Sequence, residues 1–77
     1  VEYKPINLST LEELAAKKEL TAINVETLIA AGFISSNDRV KILGNGNVTK
    51  ALTVTAHAFS KSAEAAIAAA GGNVEKL

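Results

Sequence analysis

Seventy-seven residues, eight basic and eight acidic, with no cysteine, describe one small, formally neutral domain whose core must rest on Leu, Ile and Val. The lack of cysteine excludes a disulfide framework and a thiolate metal site, and no apolar run approaches the roughly 20 residues of a membrane-crossing helix. Zero net charge weighs against a free-standing nucleic-acid binder, because affinity for the phosphate backbone comes largely from Lys and Arg.

In chain order, Val1 to Leu8 is extended in tendency, and Pro5, lacking an N–H, confines any strand there to an edge. Ser9 with Glu12 three residues on, or Thr10 with Glu13, has the pattern of a capping box. Leu11, Leu14 and Ala15 then share one face, which predicts a helix to about Lys18, with Lys17 and Lys18 at its negative end. A second helix has both ends marked. Asn24 is an N-cap preceded by Ile23, which can staple onto Leu28; Gly32 supplies a left-handed terminator, with Phe33 behind it.

Ser35 to Asp38 is a polar loop. Val40 to Leu43 predicts a short strand, and Asn45-Gly46 after it is the commonest pair for a tight hairpin turn. From Leu52 the apolar positions alternate, with Leu52, Val54 and Ala56 on one face and Thr53, Thr55 and His57 on the other. Ser60 caps a third helix whose inner face is Ala63, Ala66, Ile67 and Ala70, Gly71 ends it, and residues 74–76 can return as a strand. Strands alternating with short helices predict an α/β domain, a small sheet with three short helices packed on it.

The charges are unevenly distributed. Residues 39–61 carry Arg39, Lys41, Lys50 and Lys61 without a carboxylate, and all eight acids lie elsewhere. Those cations flank the polar strand face, and the Ser60 cap leaves amide groups at a helix N-terminus, where an anion is stabilised. Gly44 and Gly46 permit close backbone approach by a phosphate or ribose. The competing reading is an ordinary solubilising surface, and spacing leaves both open.

Enzymatic readings fare poorly. Gly44 to Thr49 lacks the third glycine of a dinucleotide fingerprint and precedes a strand instead of a helix. His57 is the only histidine, so a triad is possible only through it, and the nearest nucleophiles, Thr55 and Ser60, are better explained as strand-face and cap residues; as a metal site it lacks a second His or a Cys as partner. It is either a half-exposed strand residue or a hydrogen-bonding contact to RNA. Glu12 and Glu13 are neighbours on a helix, so they point in different directions and read as a solvated first turn.

The run Lys41 to Val48, then Leu52-Thr53-Val54, then Phe59-Ser60 with Ala63, Ile67 and Gly71, resembles the signature of the bacterial large-subunit ribosomal proteins numbered fifteen. It is shared more loosely with their archaeal and eukaryotic relatives numbered eighteen-e. Ile6-Asn7-Leu8 and Leu11-Glu12 extend the likeness over nearly the whole chain. The resemblance implies an irregular strand-strand-helix succession in a non-catalytic protein without a cofactor, which binds large-subunit ribosomal RNA in the cytoplasm and helps the subunit assemble beside neighbouring ribosomal proteins. It implies no membrane partner and no small-molecule substrate. Family members also carry a long basic glycine-rich extension ahead of this region, so residues 1–77 are expected to be a C-terminal globular part of a longer chain.

On that resemblance, Lys41, Lys50 and Lys61, with Arg39, are expected at phosphates. Thr49, Thr55 and His57 are expected at sugars or phosphates, and Gly44, Asn45, Gly46, Asn47 and the Ser60 cap in close backbone contact. Phe59 is core or a stacking residue. Ala51 and Ala58 stand where family members are expected often to have lysine, which thins the basic face. The rival from another class is a protein-interaction module built on Glu12, Glu13, Glu19 and Glu26 and an exposed apolar edge; a small hydrolase using His57 would need a pocket beside that ring.

Overall fold

The computed structural model describes residues 3–77, so the strand tendency of Val1 lies outside it. Six strands and three helices follow one another as β1 (Tyr3–Asn7), α1 (Leu8–Lys18), β2 (Ala22–Ile23), α2 (Val25–Ala30), β3 (Arg39–Leu43), β4 (Thr53–Ala56), β5 (Ala58–Phe59), α3 (Lys61–Ala69) and β6 (Asn73–Lys76). The α/β class and the three helices are as expected, but the strands divide into two three-stranded sheets, ordered β1-β3-β5 and β2-β4-β6. Every pairing is parallel.

The chain alternates between the sheets. Three times a strand of the first sheet leads through a connector to the strand at the corresponding place in the second, the connectors being α1, residues 44–52 and α3. The expected hairpin at Asn45-Gly46 is therefore absent. β1 and β5 already occupy both sides of β3, so β4 has no free edge there and pairs in the other sheet. Parallel partners require crossovers instead of tight turns.

One core joins both sheets and the helices. Val40 and Ile42 of β3 are fully buried while Arg39 and Lys41 between and beside them are not, which is the period-two pattern of a half-covered sheet. Leu8, Leu11, Leu14 and Ala15 bury the inner stripe of α1, and Ala63 and Ile67 that of α3. Phe59 packs against this cluster, in favour of the core reading.

The helix ends follow local chemistry, with one exception. Asn24 Oδ1 accepts from the Thr27 amide at 2.9 Å, and Ser60 Oγ accepts from the Ala63 amide at 3.2 Å. Phe33 N–H donates to Leu28 O and Gly32 N–H to Ile29 O, the paired bonds of a Schellman ending, and the same pattern closes α3 through Gly72 to Ile67 and Gly71 to Ala68. The capping box expected at Ser9 and Glu12 does not form. Leu8 is completely buried and belongs to the helix, which moves the cap back to Asn7 and leaves Glu12 beyond the third helical position.

Candidate nucleic-acid interface

The three strands of the first sheet end together, with Asn7 opposite Leu43 and Phe59 opposite Ile42. Because α1 starts directly after β1 and α3 after the Ser60 cap, two helix N-termini flank the point where the 44–52 connector leaves β3. Close approach is obligatory there. A Cβ on Gly44 would collide with Ser62 Oγ, and one on Gly46 would come within 2.7 Å of Ser9 Cβ and 3.0 Å of Ser9 N. Gly46 also has φ +85°, a left-handed conformation that side chains other than glycine rarely adopt.

The chain itself thus takes up the room beside both glycines. Ser9 N–H donates to Asn45 O at 3.3 Å, and Asn45 Nδ2 donates to Asn7 Oδ1 at 3.3 Å, so the connector's backbone covers the start of α1. What the turn leaves to solvent is its outer side, Asn45, Gly46 and Asn47.

Of the four cations, Arg39 and Lys41 share the outward face of the first sheet, where Tyr3 lies opposite Arg39 and is 44% exposed, while Pro5 and Ala58 lie on either side of Lys41. Lys61 opens α3, three residues after Ala58. Lys50 is apart from them in the connector, in a cleft with Ala15, Ala16 and Glu19. Glu12 is inserted beside it. Its Oε1 accepts from the Thr49 amide at 2.8 Å and the Lys50 amide at 3.3 Å, and both carboxylate oxygens lie within 3.0 Å of Thr49 Oγ1.

The uninterrupted run of cations in sequence is therefore interrupted in space. The Thr49 amide first, then its hydroxyl, holds the Glu12 carboxyl below the usual carboxylate range. Thr49, expected at a sugar or phosphate, is already engaged by this carboxylate. Asp38 is lowered likewise by the Ser35 amide, which donates to its Oδ2 at 2.8 Å and closes the loop ahead of β3.

His57 lies between β4 and β5, where its Nδ1 accepts from the Val40 amide at 3.0 Å and its own amide donates to Val40 O at 3.2 Å. The ring proton is therefore assigned to Nε2, which is a donor. Thr55 belongs to the second sheet, opposite Glu75 and in a cleft with Asn24, Val25, Glu26 and Leu77, away from the first sheet's cations. Ser60 Oγ is committed to its cap, with Ser62 Oγ 3.3 Å away. Arg39, Lys41 and Lys61 are thus associated with the first sheet and the start of α3, whereas Lys50, Thr49 and Thr55 are placed elsewhere.

The sequence profile of the ribosomal protein family that groups 50S-L15 and 50S-L18e with a 60S counterpart matches residues 5–75. The chain belongs to this family. Over all 77 residues it is 66% identical to a protein named large ribosomal subunit protein uL15 from Porphyromonas gingivalis, and 61% to one of the same name from Bacteroides fragilis. It is 54% identical to another of that name from Amoebophilus asiaticus. The chain spans about half the length of these curated relatives, 52%, 52% and 51% in turn.

Two residues that sequence reasoning did not place beside the candidate residues are brought there by the fold. Glu12 reaches across 37 residues of sequence to Thr49, and Tyr3 comes beside Arg39 through the β1–β3 register. Neither has a local signal: Tyr3 depends on the parallel β1–β3 register, and Glu12 on the crossover that lays the 44–52 connector along α1.

Proposed function

We propose that this chain is the globular part of a structural large-subunit ribosomal protein that binds large-subunit ribosomal RNA and supports subunit assembly in the bacterial cytoplasm, without catalysing a reaction. Its neighbours would be that RNA and adjoining ribosomal proteins. The observation that carries the reading is the family match over residues 5–75, joined to full-chain likeness to proteins named for the large ribosomal subunit. The geometry supports it with Arg39 and Lys41 on the outward face of β3 and Lys61 at the start of α3, cations that a polyanion would meet. Basic side chains on a rigid frame bind folded RNA through its phosphates and shape.

The rival built on acidic residues has less support. Glu19, Glu13 and Glu26 line three separate clefts, and Glu12 is held by Thr49. His57 lines none of these three clefts.

Binding of the chain to a large-subunit ribosomal RNA transcript, followed against salt, tests the reading. Affinity should fall steeply as salt rises, and a Lys41→Ala, Lys61→Ala double variant should lower the slope by roughly 1.4–1.8, two phosphate contacts' worth. No binding at low salt, or a slope that the double variant leaves in place, would overturn it.

A further inference from the structure

We infer that Glu12 is a positioning residue for the connector: its carboxylate clamps Thr49 and Lys50 so that the Lys50 cation, set apart from Arg39, Lys41 and Lys61, is held in one arrangement for a further phosphate. This rests on the RNA-binding reading above. Two successive backbone amides and one hydroxyl converge on a single carboxylate. That is how a short backbone nest holds an anion. Here the anion is the chain's own, and it projects from α1, whose Leu8, Leu11, Leu14 and Ala15 are anchored in the core.

The connector needs such a tether. It is the one of the three sheet-to-sheet crossings without a helix of its own, so no ladder of i to i−4 hydrogen bonds fixes residues 44–52. It is held near its start by Ser9 and Asn7 at Asn45, near its end by Leu52, which is 1% exposed, and between them by Glu12. Charge alone would make this carboxylate a poor neighbour for an RNA-binding lysine. Its place is explained if order is worth more to the interface than the lost positive potential, because a cation fixed in its bound geometry loses less entropy on binding.

The two effects of Glu12 have opposite signs, which makes the inference testable. Glu12→Ala removes the acceptor together with the negative charge beside Lys50, so a merely electrostatic role predicts tighter RNA binding. The clamp predicts weaker binding, with the salt slope reduced by about 0.7–0.9, as Lys50 loses its phosphate. In a Lys50→Ala background Glu12→Ala should then have no further effect on affinity, which a general loss of structure would not reproduce. Hydrogen exchange at the Thr49 and Lys50 amides should quicken by at least about tenfold in Glu12→Ala, with core amides unchanged. Thr49→Val, which keeps both amides and removes only the hydroxyl, should give a smaller effect in the same direction.

Unchanged exchange at those two amides would overturn the clamp whether or not RNA binds. Tighter binding, or equal weakening in the Lys50→Ala background, would overturn the positioning role. Failure of the unaltered chain to bind the transcript would instead remove the RNA reading, with the exchange rates still deciding whether Glu12 holds the connector.

Discussion

Replacing Gly46 by alanine separates two reasons for a glycine in the connector. Gly46 and Gly32 share the same backbone angle, φ +85°, but a Cβ at Gly32 meets nothing within 4 Å, whereas one at Gly46 meets Ser9 Cβ at 2.7 Å and Ser9 N at 3.0 Å. The left-handed conformation costs a side chain about 1–2 kcal/mol at either place. At Gly46, forcing the connector away from the start of α1 adds about 1–3 kcal/mol of overpacking, so Gly46→Ala should lose about 3 kcal/mol where Gly32→Ala loses about half of that. A chain of this length has only about 4–12 kcal/mol in all. At about 4–8 °C per kcal/mol, the Gly46 variant should melt roughly 12–24 °C lower. Thermal unfolding followed by circular dichroism reads both variants on the same chain. If Gly46→Ala melts no lower than Gly32→Ala while RNA binding is lost, the space beside Gly46 is kept for a ligand, and the intramolecular account of this glycine fails.

Three other outcomes follow from contacts already described. Exchanging His57 for Phe leaves the Val40 amide without its Nδ1 acceptor and should cost about 1–3 kcal/mol in a chemical-denaturation midpoint; a midpoint shift below about 0.5 kcal/mol would show that water replaces the ring. Ser60→Ala removes the cap on α3, with an expected loss of about 1 kcal/mol by the same measurement, and a neutral result would mean that the Ser62 hydroxyl takes over. Glu12 and Asp38 are both held below their ordinary values by hydrogen bonds, so the stability they contribute is fully present above the unfolded carboxylate values of about 4 and is lost as pH falls through the lowered folded values. An acid-titration melt should show a smaller loss over that range in Glu12→Gln than in the unaltered chain, and identical acid limbs would remove Glu12 as a contributor.

What could be read in the sequence was local. The Asn24 and Ser60 caps, the glycine endings of α2 and α3, and the alternation that buries Leu52, Val54 and Ala56 all depend on residues within a few positions of one another, and each is found as expected. The Asn45-Gly46 dipeptide predicts a hairpin that the fold does not form: the left-handed glycine is present, but β3 and β4 lie in different sheets. Which edges of β3 are free is decided by β1 and β5, one far before it and one after, and no window around the turn contains them. The capping box failed for a related reason: Leu8 is needed by the core, and its burial lengthens the helix past the serine that would have ended it.

The candidate site shows the same division at closer range. Residue type identified the cations, but whether they act together depends on the register that sets Lys41 between Pro5 and Ala58 and on the crossover that carries Lys50 to the flank of α1. A carboxylate 38 residues from Lys50 in sequence cannot be counted as its neighbour from spacing alone, yet it accepts that residue's amide. Zero net charge is then no argument against a polyanion partner, since what such a partner meets is the potential at one face. By the same reasoning it is no argument for one. The first sheet supplies an outward pair of cations whether or not RNA is present, and only the response of binding to salt and to their removal connects that pair to phosphate.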